Sequence, residues 1–168
     1  MPHPRTADLE ALLRALQDAE VPVIVVGGAA AVIHGAPITT QDLDIVPRLG
    51  PADDARLLAF LDALEARFRP VMPGRDIAPG AEHLAARGQL NLITRFGPLD
   101  VLCRLHDQRG YDELLSRSRE VVDADLRVRV LDLDALIEIK QSTGRARDQM
   151  VVPILMALRD SQGNGSAD

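Results

Sequence analysis

One cysteine (Cys103), one lysine (Lys140), one tyrosine and no tryptophan are found in 168 residues. A single thiol forms no disulfide framework and no cysteine-based zinc site, so a buried, reduced Cys103 is expected. Four aromatic residues, Phe60, Phe68, Phe96 and Tyr111, are too few for a surface that stacks several unpaired bases. No apolar run approaches the roughly 20 residues that span a bilayer, and the opening MPHPRTADLE holds no apolar signal segment, so a cytoplasmic location is expected. Positive charge is also short: 19 basic residues against 25 acidic ones give a net charge of -6. That balance argues against a broad grip on a phosphate backbone as the main mode of action. A local basic patch remains compatible with it. Residues 1–84 hold 7 Arg against 12 acids, whereas 85–168 hold 11 Arg and Lys140 against 13 acids, which makes the second half the expected seat of an anionic partner.

At 46% hydrophobic the chain can bury one good core, and one domain over residues 1–160 with a disordered tail at 161–168 is expected. Thr6 is read as the cap of a helix carrying Leu9, Leu12, Leu13 and Leu16, stopped by Pro22. Val23–Val26 is a β-branched run short enough for a buried strand. Gly27 and Gly28 then open an alanine-rich helix ending at His34 and Gly35. Asp42–Pro47 reads as a second strand, and Pro51 starts a helix running to about Arg67. Residues 72–83 read as a Gly/Pro-rich loop. Gln89–Phe96 and Leu99–Leu105 read as a hairpin turning at Gly97 and Pro98. A short helix over Tyr111–Arg117, one or two strands over 120–133, and helices over Leu133–Ser142 and Arg147–Arg159 complete the pattern, the last bent near Pro153. The class is α/β (α+β): a small mixed sheet flanked by helices, with the C-terminal helices packed on it.

Eighteen aspartates produce about two Asp-x-Asp triplets by chance, and the chain has three, so context must separate them. Asp123 and Asp125 lie in a polar turn, and Asp132 or Asp134 is placed to cap the helix that follows. Asp42 and Asp44 differ. In a strand, residues i and i+2 share a face, so DLDIV sets both carboxylates on one side with Leu43 and Ile45 in the core. Carboxylates that close beside an apolar layer repel each other unless cations stand between them. Two magnesium ions suit such a spacing, with a third carboxylate completing the site. Asp100, in the otherwise apolar run LDVLCRL, is the candidate. Gly27 and Gly28, between strand and helix, would let backbone amides approach a phosphate closely. The order strand, Gly-Gly, helix, turn, paired aspartates can hold a triphosphate between amides and metals. His34 is read as packing or capping.

VGGAAAVIHG followed by TTQDLDIV resembles the core motif of the nucleotidyltransferase fold, the superfamily of DNA polymerase β, and in particular the bacterial minimal and AbiEii-type toxin nucleotidyltransferases. The resemblance implies that Gly27 and Gly28 form the phosphate turn and that Asp42, Asp44 and Asp100 bind two Mg²⁺ ions. LIEIKQSTGRARDQMVVPIL is similar to the C-terminal helical segment of the AbiEii-like proteins, with Lys140, Arg145, Arg147 and Asp148 on the matching places. Lys140 would neutralise triphosphate charge, and Arg145 or Arg147 would hold the acceptor or the leaving pyrophosphate. Thr39 and Thr40 would shape the turn, and Thr40 is grouped with the nucleotide-binding residues. The chain departs from the pattern at Ile38, where many relatives carry arginine. The implied activity is Mg²⁺-dependent transfer of a nucleoside monophosphate, from ATP or another NTP, to a hydroxyl of RNA (a tRNA end) or protein. A toxin with a cognate antitoxin is the implied setting. Transfer to an antibiotic-type small molecule, or a catalytically silent nucleotide- or partner-binding module, are the alternatives.

Overall fold

The computed structural model describes residues 3–70, 73–74 and 76–165. Inside its sheet lies the strand β1 (Val23–Val26), whose continuous β-branched run fits a strand covered on both faces. β1 lies antiparallel to β2 (Leu43–Pro47), with Val26 opposite Asp44. β2 in turn runs parallel to β5 (Gly97–Leu102), setting Asp44 opposite Asp100. With β3 (Arg67–Phe68), β4 (Gln89–Thr94), β6 (Ser118–Asp123) and β7 (Leu126–Leu131), these form one mixed seven-stranded sheet. Its order is β3-β4-β5-β2-β1-β7-β6.

Helix α1 (Leu9–Asp18) buries Leu12, Leu13 and Leu16, the stripe expected from their spacing, and packs along β7. Its cap is Asp8 rather than Thr6: the Asp8 side chain accepts a hydrogen bond from the Ala11 amide at 3.0 Å. Thr6 is committed elsewhere, its carbonyl pressed against Gly97 so closely that a Cβ there would lie 2.6 Å away. Gly97, at φ +99°, accordingly belongs to β5 and not to the turn. The β4–β5 turn is Arg95–Phe96, held by the buried Thr94 hydroxyl, which donates to the Gly97 carbonyl (2.8 Å) and accepts from the Phe96 amide (3.1 Å).

Gly27 opens α2 (Gly27–Ile33) directly from β1, and Ala29, Ala30 and Ala31 bury its inner face. Small side chains let the helix sit close to the sheet. α3 (Pro51–Ala63) ends four residues before Arg67, which belongs instead to the two-residue strand β3. The expected loop over 72–83 contains the start of α4 (Ala81–Ala85), while residues 72 and 75 lie outside the described residues. α5 spans Tyr111–Leu115, and β6 and β7 form a hairpin turning at Ala124, whose φ is +51°. α6 (Leu133–Thr143) ends on Gly144 in the left-handed conformation, and α7 (Ala146–Asn164) packs on it. α7 carries Pro153 inside it and continues through residues 161–164, which were expected to be disordered; residues 166–168 lie outside the described residues. No helix among the described residues is long and apolar enough to cross a membrane.

Candidate active site

Asp42 ends the turn before β2, Asp44 lies within β2, and Asp100 lies within β5, so two adjacent parallel strands deliver three carboxylates to one place. One carboxylate oxygen from each lies within 4.8 Å of those of the other two. Three hard oxygen donors at that spacing fit a magnesium-sized cation. The electrostatics point the same way. Burial first, then the charges of Asp42 and Asp100, push the Asp44 carboxyl up to about 7. Burial also raises Asp100, although Arg69 beside it pulls it back down. The Arg69 Nη2 is ion-paired with Asp100 Oδ1, and its buried Nε has no hydrogen-bond partner among the described residues.

Gly27 and Gly28 face this cluster, and each is glycine for a specific steric reason. Gly27 has φ +64°, and a Cβ on it would overlap Asp44 Oδ2. A Cβ on Gly28 would lie 2.8 Å from Thr40 Oγ1. The Thr40 hydroxyl donates to the Asp42 carbonyl at 3.1 Å, tying the turn to the first aspartate. The open glycine surface thus comes from the crowding of Asp44 and Thr40 as well as from any ligand.

These residues line a cleft of about 390 Å³ whose opposite wall is α6 and the start of α7. Lys140 reaches it with a side chain only 13% exposed, its ammonium 3.2 Å from Asp148 Oδ1. Burial resists ionisation of Asp148, but hydrogen bonds from the Thr143 hydroxyl (2.7 Å) and Lys140 outweigh it and hold the carboxyl below its ordinary value. Lys140 is therefore a positioned cation, and its charge opposes the upward shift of Asp44. Arg145 and Arg147 line the same wall, exposed. Ile38 lines the cleft as an apolar residue.

His34 lies elsewhere. It is buried and caps α2, with Nε2 donating to the Leu131 carbonyl at 2.7 Å and Nδ1 accepting from Arg119 at 2.9 Å. Burial lowers its pKa, which keeps the ring neutral in this structural role. Three cleft-side residues escaped the sequence reading. Arg69 follows the strand β3, which is too short to show a period. Arg104 and His106 follow the end of β5, in a bend and a turn where strand alternation no longer applies, and line the cleft with Asp100 and Leu102.

No family model matches the chain, and no curated protein matches it in sequence. Solved structures do. The lincosamide antibiotic adenylyltransferase LnuA, with lincomycin bound, superposes with a TM-score of 0.62 at 12% identity, over 92% of this chain and 99% of that one. The antibiotic-resistance factor ANT(2'')-Ia gives 0.56 at 15% identity, covering 95% and 91% of the two chains. A Thermotoga maritima protein provisionally named a nucleotidyltransferase gives 0.52 at 16% identity, covering 89% and 90%. The fold is the nucleotidyltransferase fold. At these identities the likeness establishes the architecture, and chemistry must be argued from the residues of the cleft.

Proposed function

We propose that the protein is a metal-dependent nucleotidyltransferase, moving a nucleoside monophosphate from an NTP to a hydroxyl of RNA or protein. The observation that carries this is the meeting of Asp42, Asp44 and Asp100 within 4.8 Å, opposite Gly27 and Gly28. Asp42 and Asp44 would each hold Mg²⁺, and Asp100 the ion on the acceptor side. Two such ions, when bound, supply Lewis-acid stabilisation of the phosphoryl oxygens and a more acidic acceptor hydroxyl.

The chain's own groups do the remainder. Gly27 and Gly28 give the triphosphate a surface free of side chains, and Lys140, Arg145 and Arg147 oppose its negative charge from the far wall. The acceptor oxygen bonds to the α-phosphorus, the bond from that phosphorus to the bridging oxygen breaks, and pyrophosphate leaves. The acceptor proton passes to a carboxylate oxygen of Asp100. A toxin setting with a cognate antitoxin is the context suggested by the AbiEii-type resemblance.

A second reading draws support from the similar structures: LnuA is a lincosamide antibiotic adenylyltransferase solved with lincomycin, and ANT(2'')-Ia is an antibiotic-resistance factor. Transfer to a small hydroxylated acceptor uses the same chemistry. Incubation with α-labelled NTPs, Mg²⁺ and cell extract separates the readings by where label appears: RNA, protein or a small molecule. Absence of label from all three, with ATP, GTP, CTP and UTP each tried, contradicts the enzymatic proposal.

A further inference from the structure

The two edges of the sheet are built differently. At one, β3 is only two residues long, and Pro70, which has no amide hydrogen, follows two residues later. At the other, β6 (Ser118–Asp123) pairs with β7 at all six positions, so it holds neither a proline nor a bulge. Val122 on this edge is 51% exposed. Such a long, regular edge can accept another strand.

The ladder fixes which backbone groups face outward. The Asp132 amide donates to the Arg117 carbonyl at 2.8 Å, and Asp123 with Leu126 is the last pair before the two-residue turn. Arg119, Val121 and Asp123 therefore bond to β7, whereas Ser118, Glu120 and Val122 direct their amides and carbonyls away from the sheet. Of these, the Ser118 carbonyl receives a long 3.5 Å hydrogen bond from Arg129 Nη1. The side chains of Arg119, Val121 and Asp123 share one face. Arg119 donates to His34 Nδ1 at 2.9 Å, and neither Arg119 nor Asp123 has an ion-pair partner among the described residues.

A second strand of the same sequence has few registers open to it. Antiparallel pairing centred on Arg119, Glu120 or Asp123 sets that residue against its own copy, like charge on like charge. Centring on Val122 shortens the overlap and sets Asp123 against Val121. Centring on Val121 places Arg119 of each copy opposite Asp123 of the other, and Val121 against Val121. In that register Glu120 of each copy exchanges both backbone hydrogen bonds with Val122 of the other. The edge is self-complementary in charge and in hydrogen bonding.

We infer that β6 pairs antiparallel with β6 of a second copy of this chain about a two-fold axis at Val121, joining the two sheets into one. In the sheet order β6 lies three strands from β2, so the inference does not rest on the reaction assigned to the cleft. One paired strand is a small interface, so the dimer is expected to form and dissociate with concentration.

The test follows the full chain by sedimentation velocity from about 2 to 500 μM, with thermal melts confirming that each variant folds. The parent is expected to pass from monomer to dimer across this range. Asp123→Arg and Arg119→Asp, each alone, set like charges opposite one another and should weaken dimerisation at least tenfold, while an equimolar mixture of the two should dimerise as well as the parent. Val122→Pro removes an outward amide and leaves the β6–β7 ladder intact, so it should also weaken the dimer. Val121→Cys should crosslink to its own copy under mild oxidation, and Glu120→Cys should not, since Cys103 is buried in both. A parent that stays monomeric at 500 μM overturns the inference. So does a dimer that Asp123→Arg and Val122→Pro leave unchanged, because it would then form through another face.

Discussion

Asp44 stands opposite Asp100 in the parallel pairing of β2 with β5, and the packing that brings the strands together denies both carboxyls full solvent. The folded protein holds Asp44 at about 7 against an ordinary 3.8. Between those values the unfolded chain releases its proton first, so folding stability falls as pH rises from about 4 to 7. Asp44→Asn removes this penalty. The variant is expected to be more stable than the parent by about 1–3 kcal/mol at pH 8 and little changed at pH 4, while losing nucleotidyl transfer. Urea unfolding at the two pH values, without divalent cations, checks it. Equal stabilities at pH 8 would contradict the electrostatic account.

Arg69 pairs with Asp100, and its buried Nε has no partner among the described residues. Its expected part is to orient Asp100 for proton transfer. Arg69→Met should lower kcat by about 10- to 100-fold and leave the KM for NTP nearly unchanged. Arg69→Lys should recover part of kcat. A loss confined to KM would assign Arg69 to nucleotide binding instead.

Gly27 combines a positive φ with contact to Asp44. Gly27→Ala forces the aspartate aside and should reduce activity more than 100-fold, with a stability cost of about 1–3 kcal/mol. Gly35 also has a positive φ, but open space lies where its Cβ would be. Gly35→Ala should therefore leave activity unchanged, and thermal melts with initial rates on both variants separate strain from loss of the site.

His34 is buried neutral between Leu131 and Arg119, with its pKa lowered by burial. An unfolded histidine near 6.5 binds protons more readily, so this contribution is present at neutral pH and is lost as pH falls below about 6.5. His34→Ala should destabilise the protein by about 2–3 kcal/mol at pH 8, less at pH 5, and leave the KM for NTP unchanged. A large change in kcat with unchanged stability would contradict this structural role of His34.

The same physics explains what the sequence shows and what it conceals. The Val23–Val26 strand, the glycine turn and the DLDIV strand were legible because each carries a local signal: β-branching, absent side chains, or period-two alternation. The proximity of Asp100 to the other two aspartates followed from an acid in an apolar run. The short strand β3 was hidden, because two residues carry no period, and Arg69 with it. The turn at Arg95–Phe96 was misplaced because Gly97 looks like turn chemistry, whereas its freedom serves a close approach to Thr6. Such tertiary contacts leave no local trace.

Calorimetric titration of ATP, GTP, CTP and UTP into the protein, with and without Mg²⁺, tests the central claim most directly. At least one nucleotide is expected to bind with micromolar affinity in the presence of Mg²⁺, at least tenfold more weakly without it, and not measurably to Asp42→Asn. Binding of none of the four, or equal binding with and without Mg²⁺ in both proteins, would contradict the account.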